Sequence, residues 1–220
     1  MARSDRSRSI VEAGYDAVAD QYAALEAEGQ EWPRLRWLEH LLGRLQAGGR
    51  VLDVGCGNGV PATRRIAQHF HATGIDVSAA QIERARRNVP EATFLQGDLT
   101  EVSFDAPFAG IAAFYVIDHV PRELHAEVFA RFHDWLEPDG HLLFTIEPED
   151  VPGEARPWLG EPMFFSQYDA ETTLQWSYNA DAVFHAASTM KLAVLLAVFR
   201  QLTRGEFTLD EPVHVRNKFL

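Results

Sequence analysis

The chain is poor in cysteine, in basic residues and in long apolar runs. Its 220 residues include one cysteine, Cys56, which excludes an intramolecular disulfide and a cysteine-rich metal site. The longest apolar stretch, at 192–199, is too short to cross a bilayer, and the N-terminus lacks the apolar core of a signal peptide. From these absences we expect a soluble, cytoplasmic protein.

Basic residues are outnumbered by acidic ones. Lys and Arg total 20 against 32 Asp and Glu, which gives a formal net charge of −12. Nucleic-acid binding needs a basic surface, and docking on an anionic membrane needs basic clusters. The charge therefore argues against nucleic acid and membrane as partners and favours a small molecule.

The apolar residues follow a helical period first and then alternate between strand and helix patterns. Helices are predicted at 10–28 and 31–46, followed by strands at 50–54, 72–76, 93–96, 110–116 and 141–146 with helices at 60–70, 78–89 and 121–136 between them. This order is typical of an α/β fold with a doubly wound, mostly parallel sheet. In such sheets the ligand site lies beyond the carboxyl ends of the strands. The Pro- and Gly-rich stretch at 147–162 is the best candidate for a boundary.

A glycine-rich turn follows the first predicted strand, in the stretch VLDVGCGNGV. Its glycines, at 55, 57 and 59, form a GxGxG pattern that differs from the GxGxxG of dinucleotide-binding folds, and no GK[ST] follows. Glycine permits a positive φ and a close approach of ligand to backbone, although an ordinary strand-to-helix turn has the same need. The loop indicates a ligand site without a phosphate grip.

Acidic residues stand at three successive strand ends. Asp53 lies at the end of the first strand, Asp76 ends the second, and Asp98 follows the third. An acid at the second strand end can accept hydrogen bonds from both hydroxyls of a ribose, and one after the third can accept from an adenine amine. With a loop that lacks a phosphate grip, these acids favour a cationic adenosyl ligand such as S-adenosylmethionine.

Residues 10–146 resemble the class I S-adenosylmethionine-dependent methyltransferases, the Rossmann-like group that acts on small molecules. The resemblance rests on these stretches: YDAVADQYA (15–23), VLDVGCGNG (51–59), GIDVS (74–78), FLQGDLT (94–100), IAAFYVIDHVP (111–121), HLLFTIEP (141–148) and WLGEPMFFSQYDAET (158–172). It implies a methyltransferase-like domain at 1–172 with an N-terminal helical lid, S-adenosylmethionine as cofactor and a small-molecule methyl acceptor. A module that binds the cofactor or S-adenosylhomocysteine without catalysis is the alternative.

The resemblance also implies residues for the methionine end of the cofactor. Gly55 and Gly57 would lie against it, and Asp53 would orient the loop and the cofactor's amine. Tyr15 or Tyr22, on the lid helix, would touch the carboxylate or the sulfonium, although core packing explains either tyrosine equally well.

For the nucleoside end, the resemblance implies a second set of residues. Asp76 would hold the ribose, and Val77 would pack on the adenine. Asp98 would accept from the adenine amine, and Leu99 would offer its backbone amide. Tyr115, after the fourth strand, completes the predicted cofactor site.

Candidates for proton transfer follow the fourth strand. His119 and Asp118 lie in VIDHVP, where the rim of the family's active site falls. A base is needed only if the acceptor must lose a proton, and histidine suits that task near neutral pH. The alternative is that both residues shape the loop before Pro121. No histidine pattern has the spacing of a metal site.

The last part of the chain departs from the methyltransferase pattern. Residues 178–219 resemble the nucleophile region of serine β-lactamases, with Ser188 and Lys191 as an SxxK motif, but motifs of the SDN and KTG types are absent. A serine hydrolase is therefore the less favoured alternative. We expect 173–220 to form an atypical C-terminal helical segment whose apolar face, from Leu192 to Phe199, packs on the sheet or builds a homodimer.

Overall fold

The computed structural model describes residues 3–27, 33–146 and 149–168. The helices are α1 (Arg3–Ala17), α2 (Ala19–Ala27), α3 (Pro33–Leu42), α4 (Ala62–Ala67), α5 (Ala79–Asn88) and α6 (His125–Trp135). The strands are β1 (Arg50–Val54), β2 (His71–Asp76), β3 (Thr93–Gln96), β4 (Phe108–Ala113), β5 (Leu136–Phe144), β6 (Val151–Trp158) and β7 (Glu161–Gln167). Two 3-10 turns, Ile117–His119 and Arg122–Leu124, precede α6.

Five strands form one parallel sheet in the order β3-β2-β1-β4-β5. The predicted α/β fold with a doubly wound parallel sheet is confirmed. The chain winds outward from β1 in both directions, so the strand order reverses between β1 and β4, and this is where such sheets bind ligands. Apolar side chains cover both faces because the strands are buried between helices.

Each face of the sheet has its own apolar cluster. On one face, Phe129 and Phe132 of α6 pack against Leu52 and Ile111 of the central strands. On the other, Leu38 of α3 packs in a cluster with Val51, Ala112 and Ile66. Burial on both faces holds β1 and β4 rigidly, and their ends therefore present the loops that follow at fixed positions.

Element bounds differ from the predictions mainly at the ends of helices. The third strand, Thr93–Gln96, is found where it was predicted, whereas the helix predicted at 10–28 begins at Arg3 and is divided between α1 and α2. The segment EPDG at 137–140 separates the helix predicted at 121–136 from the strand predicted at 141–146. It lies instead within β5, where the pairing with β4 shifts and Asp139 has a positive φ of 65°.

The stretch predicted to be a boundary, 147–162, contains a strand. β6 and β7 pair in antiparallel fashion, and Trp158 lies opposite Glu161 across a tight turn. Both turn residues, Leu159 and Gly160, have positive φ, as a two-residue hairpin with the twist of its strands requires. A leucine is unusual at the first turn position, and this is why the composition of the stretch concealed the hairpin.

The β6–β7 hairpin packs on α1 through a close contact at Gly14. A Cβ added to Gly14 would lie 2.8 Å from Met163 Cε and 2.9 Å from the carbonyl oxygen of Pro162. The Met163 side chain is fully buried there, beside Val11 of α1. The absence of a side chain at Gly14 therefore permits the helix and the hairpin to meet.

Replacement of Gly14 by leucine is expected to lower the free energy of unfolding by about 2–3 kcal/mol, because a backbone carbonyl cannot make room for the new atoms. Chemical unfolding measures the change. The matched control is Ala13→Leu, at an exposed position of the same helix, which should shift it by less than about 0.5 kcal/mol. Equal stability of the two variants would contradict the close packing of α1 on the hairpin.

Several predictions concern residues outside the described ranges. These are the boundary between 172 and 173, the SxxK pair Ser188 and Lys191, and the C-terminal apolar helix with its dimer contact. Within the ranges that the structure describes, no helix has both the length and the apolar character needed to span a membrane.

Candidate functional site

A cavity of about 110 Å³ opens at the carboxyl ends of β1, β2 and β4, beneath α1. Nine of the ten residues predicted to bind the cofactor border it, together with the predicted base; these are Tyr15, Tyr22, Gly55, Gly57, Asp76, Val77, Asp98, Leu99, Tyr115 and His119. Ser7, Arg8 and Val11 of α1 complete the cover. The predicted residues thus come together around one space, and α1 lies over it.

The glycine-rich turn follows β1 and forms one wall of the cavity. Gly55 has a φ of 67°, and a Cβ there would lie 2.9 Å from the Val116 side chain, so any other residue would push the turn away from β4. The amide of Gly57 donates a 2.8 Å hydrogen bond to Asp76 Oδ2. The turn is therefore fixed to the end of β2, and its backbone lies against the cavity.

Asp76 ends β2 and is held on both of its carboxylate oxygens. Oδ1 accepts a 2.9 Å hydrogen bond from the Ser78 amide, and Oδ2 accepts the bond from Gly57. Burial raises the pKa of Asp76, while the two amides and the nearby His119 oppose the rise. A carboxylate kept in place at reduced solvation is a strong acceptor for hydroxyl groups that enter the cavity.

The third strand end supplies the next acid. Asp98 Oδ1 accepts hydrogen bonds of 2.8 Å from both the amide and the hydroxyl of Thr100. Its other oxygen lies 3.8 Å from Arg8 Nη1, which also contacts Glu101 at 2.9 Å. Arg8 therefore ties α1 to this end of the cavity, beside the apolar side chains of Val77 and Leu99 that border it.

Asp53 borders a second, smaller cavity behind the glycine-rich turn. Its side chain is 2% exposed and accepts a 2.5 Å hydrogen bond from the Thr63 hydroxyl. Arg34 of α3 borders the same space, is only 8% exposed, and donates a 3.5 Å hydrogen bond to the Tyr22 hydroxyl. A buried cation and a buried carboxylate thus border the same space, and a zwitterionic group could be held between them.

Arg34 was not among the residues predicted from the sequence. It lies four residues before Leu38, on the buried stripe of α3, where an apolar residue was expected. A charged residue at a core position of an amphipathic helix is the signal that would have found it.

Aromatic rings from α1, α2 and β6 form a cluster at the edge of the cavity, which Tyr15 and Tyr22 border. The Tyr15 ring lies 6.0 Å from that of Tyr22, and the Trp158 ring lies 5.4 Å and 5.6 Å from these two tyrosines. Trp158 belongs to the β6–β7 hairpin, which sequence reasoning missed. Electron-rich rings grouped in this way can favour a nearby cation.

The predicted proton-transfer residues lie in different places. His119 is 9% exposed and borders the cavity; its Nδ1 lies 2.8 Å from the Phe164 carbonyl oxygen of β7. Asp118 does not border the cavity, and its charge acts instead on His125, whose pKa burial lowers. Between the two predicted candidates, the structure therefore brings only His119 to the site.

Tyr115 has a positive φ of 54°, which is unusual for a residue with a bulky side chain. Its amide donates a 2.6 Å hydrogen bond to the Thr145 hydroxyl at the end of β5. This bond holds the strained turn after β4 and keeps Tyr115 at the cavity wall.

Polar contacts from α1 and α2 hold the cover in place. Asp16 accepts hydrogen bonds from the Ser78 hydroxyl and from the Ala80 amide at the start of α5. Asp20 pairs with Arg84 at 2.8 Å. Ser78 also caps α5, because its hydroxyl accepts a hydrogen bond from the Gln81 amide.

These residues fit an adenosyl sulfonium compound. Asp76 could accept from the two ribose hydroxyls, the apolar side chains beside Asp98 could hold the adenine, and Arg34 with Asp53 could hold the amino-acid group. No larger residue fits at Gly55, so the backbone of the turn can lie close to a ligand in the cavity. No group of side chains suited to a metal ion occurs among the described residues.

Comparison with known protein families gives two matches along the chain. Residues 51–140 match the family model described as "Methyltransferase domain", which covers the strands that build the cavity. Residues 162–219 match the family model described as "Beta-lactamase enzyme family". The second match begins inside β7, which pairs with β6, and continues beyond the described residues.

The curated relatives include methyltransferases from bacteria. The chain is 34% identical over 167 residues to 27-O-demethylrifamycin SV methyltransferase of Amycolatopsis mediterranei, covering 64% of this chain and 61% of the relative. It is 30% identical over 165 residues to an uncharacterized methyltransferase of Synechocystis, covering 72% of this chain and 74% of the relative. The chain thus spans about three fifths of the first relative's length and three quarters of the second's.

Solved structures share the fold at lower identity. The complex of DhpI with SAH superposes with a TM-score of 0.58 at 21% identity, covering 80% of this chain and 88% of that one. The [4+2]-cyclase SpnF superposes with a TM-score of 0.59 at 22% identity, covering 78% of this chain and 70% of that one. Since the second of these is described as a cyclase, the shared fold does not by itself give the reaction.

Proposed function

The chain belongs to the S-adenosylmethionine-dependent methyltransferases, and from this membership we propose that it transfers the cofactor's methyl group to a small-molecule acceptor. The proposal assigns the activity to residues 1–172 and none to 173–220. We assign roles to the predicted cofactor-binding residues, to His119 and to Arg34, and none to Asp118.

Each part of the cofactor has a partner in the proposal. Asp76 holds the ribose hydroxyls, and Val77 and Leu99 pack on the adenine. Arg34 pairs with the carboxylate, and Asp53 favours the ammonium group. The cofactor supplies a methyl group on a positively charged sulfur, which reacts by in-line displacement.

The residues around the transfer point need to align donor and acceptor and to exclude water, because the sulfonium charge is lost in the reaction. The rings of Tyr15 and Tyr22 border the cavity and supply an electron-rich wall, against which Trp158 packs. Such a wall favours the cation and keeps water out.

One observation carries the proposal most strongly. Asp76 at the end of β2 is half-buried and accepts hydrogen bonds from the amides of Gly57 and Ser78, so the ribose acceptor and the glycine-rich turn form one rigid unit. A turn that only connected β1 to α4 would need no such unit.

The proposal is tested by following S-adenosylhomocysteine release from S-adenosylmethionine with a panel of small acceptors. We expect acceptor-dependent release, with one methylated product for each equivalent of S-adenosylhomocysteine. Binding of S-adenosylhomocysteine without release on any acceptor would contradict methyl transfer and favour the non-catalytic binding module.

Cofactor binding should depend on pH through Asp76. Burial raises the pKa of Asp76, and only the ionised carboxylate accepts from both ribose hydroxyls. Affinity for S-adenosylhomocysteine should therefore fall as the pH is lowered, starting above the ordinary aspartate pKa of about 3.9. In the cofactor-free protein the same shift acts in the opposite direction: the protonated group is favoured by folding, so its stabilising contribution is lost as the pH rises through the raised pKa.

Calorimetric titrations at a series of pH values measure this dependence. The variant Asp76→Asn has no carboxylate to titrate at this position, so its affinity for S-adenosylhomocysteine should not fall in this way as the pH is lowered. A wild-type affinity that stays constant down to the ordinary aspartate pKa would contradict the assignment of Asp76.

A further inference from the structure

His119 is held in one tautomer by the β6–β7 hairpin. Its Nδ1 lies 2.8 Å from the carbonyl oxygen of Phe164, and a carbonyl oxygen can only accept a hydrogen bond. Nδ1 must therefore carry a hydrogen. In the neutral imidazole, Nε2 is then the nitrogen with a lone pair, and it is the nitrogen that faces Tyr15.

The Tyr15 hydroxyl completes a chain of hydrogen bonds into the cavity. Its oxygen lies 2.9 Å from His119 Nε2, and because Nε2 is an acceptor, the hydroxyl must donate. A hydroxyl that donates in one direction can accept from a group on its other side. Tyr15 borders the cavity in which an acceptor would lie.

Three elements keep this pair in place. Tyr15 belongs to α1, His119 to the first 3-10 turn, and Phe164 to β7. The rings of Tyr15 and His119 meet edge to face at 5.4 Å, and Phe165 lies 4.9 Å from the His119 ring. Aromatic packing on both sides limits access of water and fixes the direction of the hydrogen bond.

We propose that the acceptor is a hydroxyl compound, an alcohol or a phenol, whose proton leaves through Tyr15 to His119. This inference rests on the proposed methyl transfer. The acceptor oxygen forms a bond to the methyl carbon while the carbon–sulfur bond breaks and its electron pair stays on sulfur. The acceptor's proton passes to the Tyr15 oxygen, and the Tyr15 proton passes to His119 Nε2.

The relay suits a hydroxyl better than other nucleophiles. An alcohol or phenol must lose its proton as its oxygen attacks, whereas a carboxylate arrives without one. A protonated amine would be recognised best by a carboxylate, and in the proposed binding mode Asp76 is engaged by the ribose while Asp98 lies at the adenine end of the cavity. Tyr15 offers a neutral oxygen, which matches a neutral hydroxyl.

The first test reads the tautomer without any turnover. Protein labelled with 15N in its histidines is saturated with S-adenosylhomocysteine, and long-range 1H–15N correlations are recorded, with the signals of His119 identified by their loss in His119→Gln. Near neutral pH we expect a hydrogen on Nδ1 and none on Nε2. A hydrogen on Nε2 in the neutral ring would overturn the relay.

The second test compares acceptors and variants with S-adenosylmethionine as donor. The panel pairs phenols and alcohols with amines of the same skeleton, and we expect transfer to hydroxyl probes. Tyr15→Phe and His119→Gln should each lower kcat at least about 100-fold, while the Kd for S-adenosylhomocysteine stays within about threefold.

The control is His133→Gln, at a half-buried position of α6 that does not border the cavity, and it should retain wild-type kcat. Wild-type kcat in Tyr15→Phe would overturn the relay, because this variant loses only the hydroxyl. A protein that binds S-adenosylhomocysteine but methylates no hydroxyl probe would overturn the assigned acceptor class. Failure to bind S-adenosylhomocysteine at all would instead contradict the proposed function itself.

Discussion

Asp76→Asn should lower the affinity for S-adenosylhomocysteine by about 10- to 150-fold. The loss of a charge-assisted pair of hydrogen bonds to the ribose corresponds to about 1.5–3 kcal/mol. The loss should be as large for 5′-methylthioadenosine, because both compounds have the same ribose. Isothermal titration calorimetry measures both constants.

The substitution also affects the glycine-rich turn, since both carboxylate oxygens of Asp76 accept from backbone amides. An amide side chain must turn its NH2 towards one of these donors. Thermal unfolding of the cofactor-free variant therefore accompanies the titration and separates a distorted turn from a lost ribose contact. Asp105→Asn, at an exposed position, is the matched control and should bind both compounds like the wild type. Unchanged affinity in Asp76→Asn would remove the basis for the cofactor site.

Arg34→Met should weaken the binding of S-adenosylhomocysteine by about 10- to 100-fold and leave the binding of 5′-methylthioadenosine unaffected. The two compounds differ in the amino-acid group, whose carboxylate the buried guanidinium would pair with, a contact of about 1.5–3 kcal/mol. Methionine keeps much of the length of the arginine side chain, which limits any loss of packing in α3.

Arg36→Met provides the matched control, because Arg36 is exposed on the same helix. It should change the affinity for neither compound. Together, the variants separate the two ends of the cofactor: Asp76→Asn weakens both compounds, whereas Arg34→Met weakens one. Equal weakening of both compounds by Arg34→Met would show that Arg34 acts on the fold of the turn rather than on the ligand's carboxylate.

The part of the site that could be predicted from the sequence is the part built by local patterns. The strand ends carry their acids in register because parallel strands present their carboxyl ends at one edge of the sheet. Asp76 and Gly57 are 19 residues apart, but Asp76 ends β2 and Gly57 lies just after β1. The parallel pairing of these strands therefore brings the two residues within hydrogen-bond distance. The capping role of Ser78 was readable for the same reason, since a cap acts within one turn.

The rest depends on contacts between distant parts of the chain. Arg34 lies in a helical stripe that resembles an ordinary core face, and only the position of α3 beside the turn gives its charge a purpose. His119 and Phe164 are separated by 45 residues and meet because the hairpin folds back on the 3-10 turn. The hairpin itself was missed because a Leu-Gly turn lacks the usual residues for two positive φ values.

The fold supports the family of this chain more firmly than it supports the class of reaction. The [4+2]-cyclase SpnF shares the architecture at a TM-score of 0.59, so the architecture is compatible with another reaction. What distinguishes a methyltransferase is the set of groups around the sulfonium and the acceptor. In the proposal for this chain, those groups are the rings of Tyr15 and Tyr22 and the hydrogen bond from Tyr15 to His119.

The most direct measurement of the central claim is a crystal structure of the wild-type protein with S-adenosylhomocysteine. The expected result places both ribose hydroxyls within hydrogen-bond distance of Asp76, the adenine between Val77 and Leu99, and the carboxylate towards Arg34. S-adenosylhomocysteine bound elsewhere, or bound in this cavity with its ribose away from Asp76, would contradict the assignment.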